Sequence, residues 1–135
     1  MVHLVVALIL SKGYVKVPEG VTAISDNAFF DNKTMTGIYI PSSVTSIGDR
    51  AFCINKSLVS VHMEDSVTHL GKEAFSGCIK LANVKLSNSL KAINRNTFEN
   101  CSNLKGITLP SSLRSIEYVA FYNCPKLSRI TIPDT

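Results

Sequence analysis

Tryptophan is absent, and aromatic residues make up only 7 % of the 135-residue chain. Tyr39 is the one aromatic predicted on a sheet surface, which leaves no base-stacking platform for a single-stranded nucleic acid. Lysine and arginine number 14 against 10 aspartates and glutamates, a formal net charge of +4. That balance admits anionic partners, but no dense basic stripe accompanies it, so nucleic-acid recognition is not expected. No apolar run reaches the roughly 18 residues of a membrane span. Residues 2–10 are apolar except for His3, yet they lack the basic n-region and small-x-small site of a signal peptide. There is no C-x-x-C pair, which argues against a zinc site. Phosphate-binding glycine loops, H-E-x-x-H, G-x-S-x-G and a dinucleotide fingerprint are also missing. No cofactor or catalytic constellation is expected, and an enzyme is the least favoured class.

What the chain has is repetition. Phe29, Phe52, Phe75, Phe98 and Phe121 are each 23 residues apart. Alanine precedes four of them, and Thr97 precedes Phe98. Five full units run without insertion over residues 15–37, 38–60, 61–83, 84–106 and 107–129, and a sixth begins at Ile130. Fixed periods of this length mean stacked supersecondary units. Within each unit an apolar pair alternates with period 2, as in Ile38/Ile40 and Ile107/Leu109, which predicts a strand. Further apolar columns flank it: Met35, Leu58, Leu81, Leu104 and Leu127 before, Val44, Val67, Leu90 and Leu113 after. One unit cannot bury its own apolar face, whereas stacked units share a continuous core.

The turns have their own signals. Pro18, Pro41, Pro110 and Pro133 end their strands, because proline cannot donate to a ladder. Gly48 and Gly71, with Asn94 next in the column, predict a left-handed turn residue. The segment around Ala-Phe lacks alternation, and its three-residue Phe75–Cys78 spacing predicts a short helical or 3-10 turn.

The pattern L-x-x-I-x-L-P-x-S-L-x-x-I followed by x-x-x-A-F-x-x-C resembles the 23-residue leucine-rich repeat of the BspA-like, or Treponema pallidum, class. The resemblance covers residues 15–135. It implies an α/β, right-handed solenoid with a concave parallel sheet and short turns on the convex side. It also implies a cell-surface or secreted protein that binds host or bacterial proteins. Glu64 and Ser87 depart from the proline position, and Asn32 and Asn55 from the cysteine position. Residues 1–14 stand outside the repeat and read as a cap or extra strand over the first unit, or as a degenerate signal segment.

Cys78, Cys101 and Cys124 share a column and read as buried free thiols. Cys53 lies off the column and is expected to be more accessible. The sequons at Asn32 and Asn55 put asparagine in that inward column, where it is expected to bond turn backbone; Asn100 lies one residue off and could be exposed. Ser43, Ser66, Ser89 and Ser112 are expected to bond a neighbouring coil's backbone. His62 and His69 lie near Glu64 and Asp65, and polar substitution at exposed positions explains them better than a metal or acid–base site.

Side chains on the outer face of the strands do not build the core. Lys16, Tyr39, His62, Lys85 and Thr108 form the central column, flanked by Lys105 and Arg129. These seven residues are the expected partner face. The expected function is a non-enzymatic protein-interaction module, adhesin-like, with a self-assembling solenoid that forms homo-oligomers through uncapped ends as the alternative. Exposed apolar residues on the outer turns (Phe30, Ile54, Ile79, Tyr118 and Tyr122) offer a second surface.

Overall fold

The computed structural model describes residues 12–133. Longer strands are β1 Gly13–Lys16, β3 Met35–Ile40, β5 Ser60–Met63, β7 Asn83–Lys85, β9 Gly106–Thr108 and β11 Arg129–Thr131. Each of the first five is followed one turn later by a two-residue strand: β2 Ala23–Ile24, β4 Ser46–Ile47, β6 His69–Leu70, β8 Ala92–Ile93 and β10 Ser115–Ile116. All pairings are parallel. The long strands form a main ladder β1-β3-β5-β7 and a second ladder β9-β11. The short ones form β2-β4-β6 and β8-β10. This is a parallel β-solenoid in which each 23-residue unit makes one coil. Regular strand begins at Gly13, two residues before the first unit. The rest of the expected N-terminal cap, residues 1–11, lies outside the described residues.

The apolar columns fill the interior. Phe29, Phe52, Phe75 and Phe98 are fully buried, and Phe121 packs half-buried against them. Their rings stack nearly parallel, with centroids 5.1, 5.1, 5.7 and 5.4 Å apart in chain order. The widest step, Phe75 to Phe98, joins the two coils between which the short-strand ladder is interrupted. There the Asn94 side-chain amide donates to Leu70 O at 2.7 Å. In other coils a backbone N–H takes the equivalent carbonyl, as Gly71 N does at Ile47 O and Glu117 N at Ile93 O.

The outer turns differ from the helical or 3-10 expectation: no helix occurs among the described residues. Alternate N–H groups leave the coil. Those of Asn27, Phe29 and Asp31 donate to the next coil's Asp49, Ala51 and Cys53 carbonyls, whereas those of Ala28, Phe30 and Asn32 close turns onto Ser25, Asn27 and Phe29. Sending every second donor to a neighbour leaves too few for a helix. Left-handed residues also interrupt each segment, at Asn27, Arg50, Glu73, Asn96 and Val119 and again four positions later. Gly48 and Gly71 are not left-handed. Close approach of the coils explains them: a Cβ on Gly71 would sit 2.4 Å from Gly48 C.

The cysteine column has a hydrogen-bonding role. Cys78, Cys101 and Cys124 each donate Sγ–H to the phenylalanine carbonyl 26 residues back, at 3.1, 3.2 and 3.0 Å. Asn55 makes the same contact to Phe29 O through its amide, at 2.6 Å. All four cysteines are free. Cys53 is more exposed than Cys78 and Cys101, as expected, but less so than Cys124. All the same, Cys53 counts as buried, and Cys124, in the last full coil, is only half-buried. Serines behave as expected: Ser66 and Ser112 donate to Val44 O and Leu90 O at 2.6 Å. Ser89 is drawn to Asp65 O because Ser87, in the proline position, takes Val67 O at 2.6 Å.

Candidate binding face

Parallel register places Lys16, Tyr39, His62 and Lys85 side by side across the main ladder. They are linked to one another. The Lys16 ammonium lies 5.9 Å from the Tyr39 ring centroid, a cation–π contact. The Tyr39 and His62 rings are 5.3 Å apart. Tyr39 donates its hydroxyl to Glu64 Oε1 at 2.9 Å, and His62 Nε2 is 3.1 Å from the same oxygen. Lys85 donates to Met63 O at 3.1 Å and lies 3.6 Å from Asp65.

The electrostatics follow from these contacts. The hydrogen bond from Tyr39, then that with His62, holds the Glu64 carboxyl below the ordinary carboxylate range despite some desolvation. The same bond to Glu64 raises the Tyr39 phenol. Asp65 is lowered, first by the Asn88 backbone N–H and then by its side chain. Among the described residues no group of three or more histidines, cysteines, aspartates or glutamates could hold a metal ion.

Thr108 and Arg129 belong to the other ladder, where Thr108 pairs with Thr131 and Gly106 with Arg129, and Lys105 immediately precedes β9. An open groove of about 1130 Å³ nevertheless spans both ladders and includes His62, Lys85, Lys105, Thr108 and Arg129. Lys16 and Tyr39 do not line it. Tyr14 does, and the sequence reading missed it by placing residue 14 outside the repeat. The signal was present: Tyr14 precedes Gly37 by 23 residues. Its ring lies over Gly37, where a Cβ would meet Tyr14 Cδ2 at 2.7 Å. Glu64, the hub of the row, was also left out of the expected face. Its pairing with Tyr39 spans one period plus two residues, a spacing no single repeat reveals.

The other expectations divide. Asn55 is fully buried, bonded to Phe29 O and Phe52 O, and Asn32 Oδ1 accepts from Thr34 N and Met35 N. Asn100 is half-buried and accepts from Asn123 at 2.7 Å. On the outer turns Phe30, Ile79, Tyr118 and Tyr122 are exposed, and Ile54 is half-buried.

A parallel solenoid with a buried phenylalanine spine and outward-facing strand residues defines a leucine-rich repeat protein. The sequence profile of the BspA type leucine rich repeat region matches residues 14–135 in six copies, and the chain belongs to that family. Similar solved structures support it. The T. pallidum leucine-rich repeat protein is 30 % identical with a TM-score of 0.84, the match covering 90 % of this chain and 59 % of that one. A leucine-rich repeat protein from Eubacterium ventriosum is 27 % identical with a TM-score of 0.85, covering 91 % and 33 %. Pneumococcal vaccine antigen PcpA is 27 % identical with a TM-score of 0.81, covering 90 % and 30 %. The chain thus spans between a third and three fifths of the first two structures' length. No curated protein matches it.

Proposed function

We propose that this chain is a non-enzymatic protein-interaction module that engages its partner through the face of the main sheet. The observation that carries this reading is the row Lys16–Tyr39–His62–Lys85, presented together by the ladder register and taking no part in the buried core. An aromatic held by Glu64 on the sheet face is the kind of anchor that dominates interface energetics. Similarity to a vaccine antigen supports an adhesin-like role at the cell surface. The test is a pull-down from candidate host or bacterial extracts, followed by surface binding of variants. Tyr39→Ala is expected to weaken the partner by more than about tenfold, roughly 1.4 kcal/mol, with the fold intact. Unchanged affinity would move the site to the outer turns.

One observation favours a second reading, self-assembly. Ile116 and Ile132 are exposed beside the last described coil, and with Leu109 and Leu113 they line an apolar recess of about 370 Å³. A second copy seated in this recess would cover its apolar lining. Sedimentation across concentration separates the readings: a mass that stays at one chain removes this one.

A further inference from the structure

We propose that the half of the groove formed by β7, β9 and β11 receives an extended acidic polypeptide segment. This rests on the reading of the main sheet as the binding face and names the partner's chemistry there. Lys85, Lys105, Lys126 and Arg129 line the groove, and no carboxylate is among its lining residues. The carboxylates in contact with its lining residues His62 and Lys85 are already occupied. Glu64 is held by Tyr39 and His62, and Asp65 by Asn88 and Lys85. Lys105 and Arg129 have no ion-pair partner among the described residues, and Lys126 donates only to the neutral Asn103 Oδ1, at 2.8 Å. Cations of one sign in a concave surface focus their field and attract the opposite charge.

The floor of this half favours a polypeptide. The main ladder stops between β7 and β9, so the facing edges of these strands form no pairing. Val84, in the inward column and packed against the core, is half-buried there, whereas its column neighbours Val61 and Ile107 are buried. A peptide offers main-chain groups to such a floor, and carboxylates to the rim. Strands stand about 4.8 Å apart, so the crossing from β7 to β11 is spanned by about three extended residues. A glycan would call for aromatic stacking, and the one aromatic lining the groove, Tyr14, belongs to β1 at the opposite end of the ladder.

The experiment measures a fluorescent oligoglutamate by anisotropy at low and high salt, with a heparin oligosaccharide measured in parallel. Lys105→Glu with Arg129→Glu is compared with Lys91→Glu and Arg114→Glu, an equal charge change on the short-strand face. All four positions are exposed, and thermal unfolding checks that both variants fold. Oligoglutamate is expected to bind more weakly as salt rises, to lose more than about tenfold in the groove variant, and to lose less than about threefold in the control. Equal losses in both variants, or no binding at low salt, would overturn the proposal. So would groove-dependent binding of heparin without that of oligoglutamate. A captured protein partner lost in Tyr39→Ala but retained by the groove variant would overturn the acidic segment while leaving the main-sheet reading standing.

Discussion

The Tyr39 hydroxyl donates to Glu64 Oε1 at 2.9 Å, joining two adjacent coils through residues 25 apart. This bond links the geometry of the exposed face to its ionisation, and pH therefore tests it. Glu64 is held below its ordinary value of 4.5 in the folded protein. A carboxyl depressed by folding adds stability above its unfolded value, and that contribution is lost as pH falls through the folded value. Acidification below about pH 4.5 should therefore lower the urea midpoint. Tyr39→Phe should flatten this fall, since Phe cannot donate. An identical slope in the two proteins would show that the bond contributes nothing in solution.

Removal of a central ring should be severe. Phe75 is fully buried and stacked on both sides. Phe75→Ala is expected to cost roughly 3–5 kcal/mol. Phe121→Ala should cost less, because Phe121 is half-buried and stacked on one side only among the described residues. Chemical denaturation of the pair decides it, and equal losses would count against an end coil that is looser than the centre.

Thiol reactivity should rank by depth. Desolvation pushes Cys78 up to about 12 and Cys101 higher still. Cys53 and Cys124 are raised less far, also chiefly by desolvation. Because the thiolate is the reactive form, a thiol reagent should label Cys124 first in the native protein and Cys78 and Cys101 last. Mass spectrometry of partly labelled protein gives the order directly. Early labelling of Cys101 would contradict the hydrogen-bonded column.

Asn55→Cys should stabilise the protein. Asn55 Oδ1 is buried without a hydrogen-bond partner among the described residues, while the amide makes the column's contact to Phe29 O. A cysteine supplies one donor and leaves no orphaned acceptor. The expected gain is about 1 kcal/mol, the low end for relieving a buried unsatisfied group. A lower denaturation midpoint would show that the second amide bond, to Phe52 O, outweighs the orphan.

Val119→Asn should also stabilise. Val119 has a φ of 52°, strained for a β-branched residue, and Asn27 and Asn96 occupy the same column at 59°. About 0.5 kcal/mol is expected, within the range of backbone-compatible substitutions. No change in thermal unfolding would mean that lost Val119 contacts balance the relieved strain.

The sequence by itself determined the period, the number of coils and the identity of the core. Phe29 to Phe121 and the aliphatic columns flanking the strands carry that information, because a residue repeated at every 23rd position must face its own copies when coils stack in register. The outward placement of Lys16, Tyr39, His62, Lys85 and Thr108 was legible too: alternation along a strand assigns each side chain to one side. Tertiary structure alone decided what the turns became and how the face is wired. A three-residue spacing such as Phe75–Cys78 cannot report whether an N–H bonds within its coil or to the next one, and the alternating donors at Asn27, Phe29 and Asp31 made turns rather than a helix. The link from Tyr39 to Glu64, the split between β7 and β9, and the surplus of cations around Lys105 and Arg129 arise between coils. They depend on side chains that break the repeat, and a repeat predicts only what its copies share.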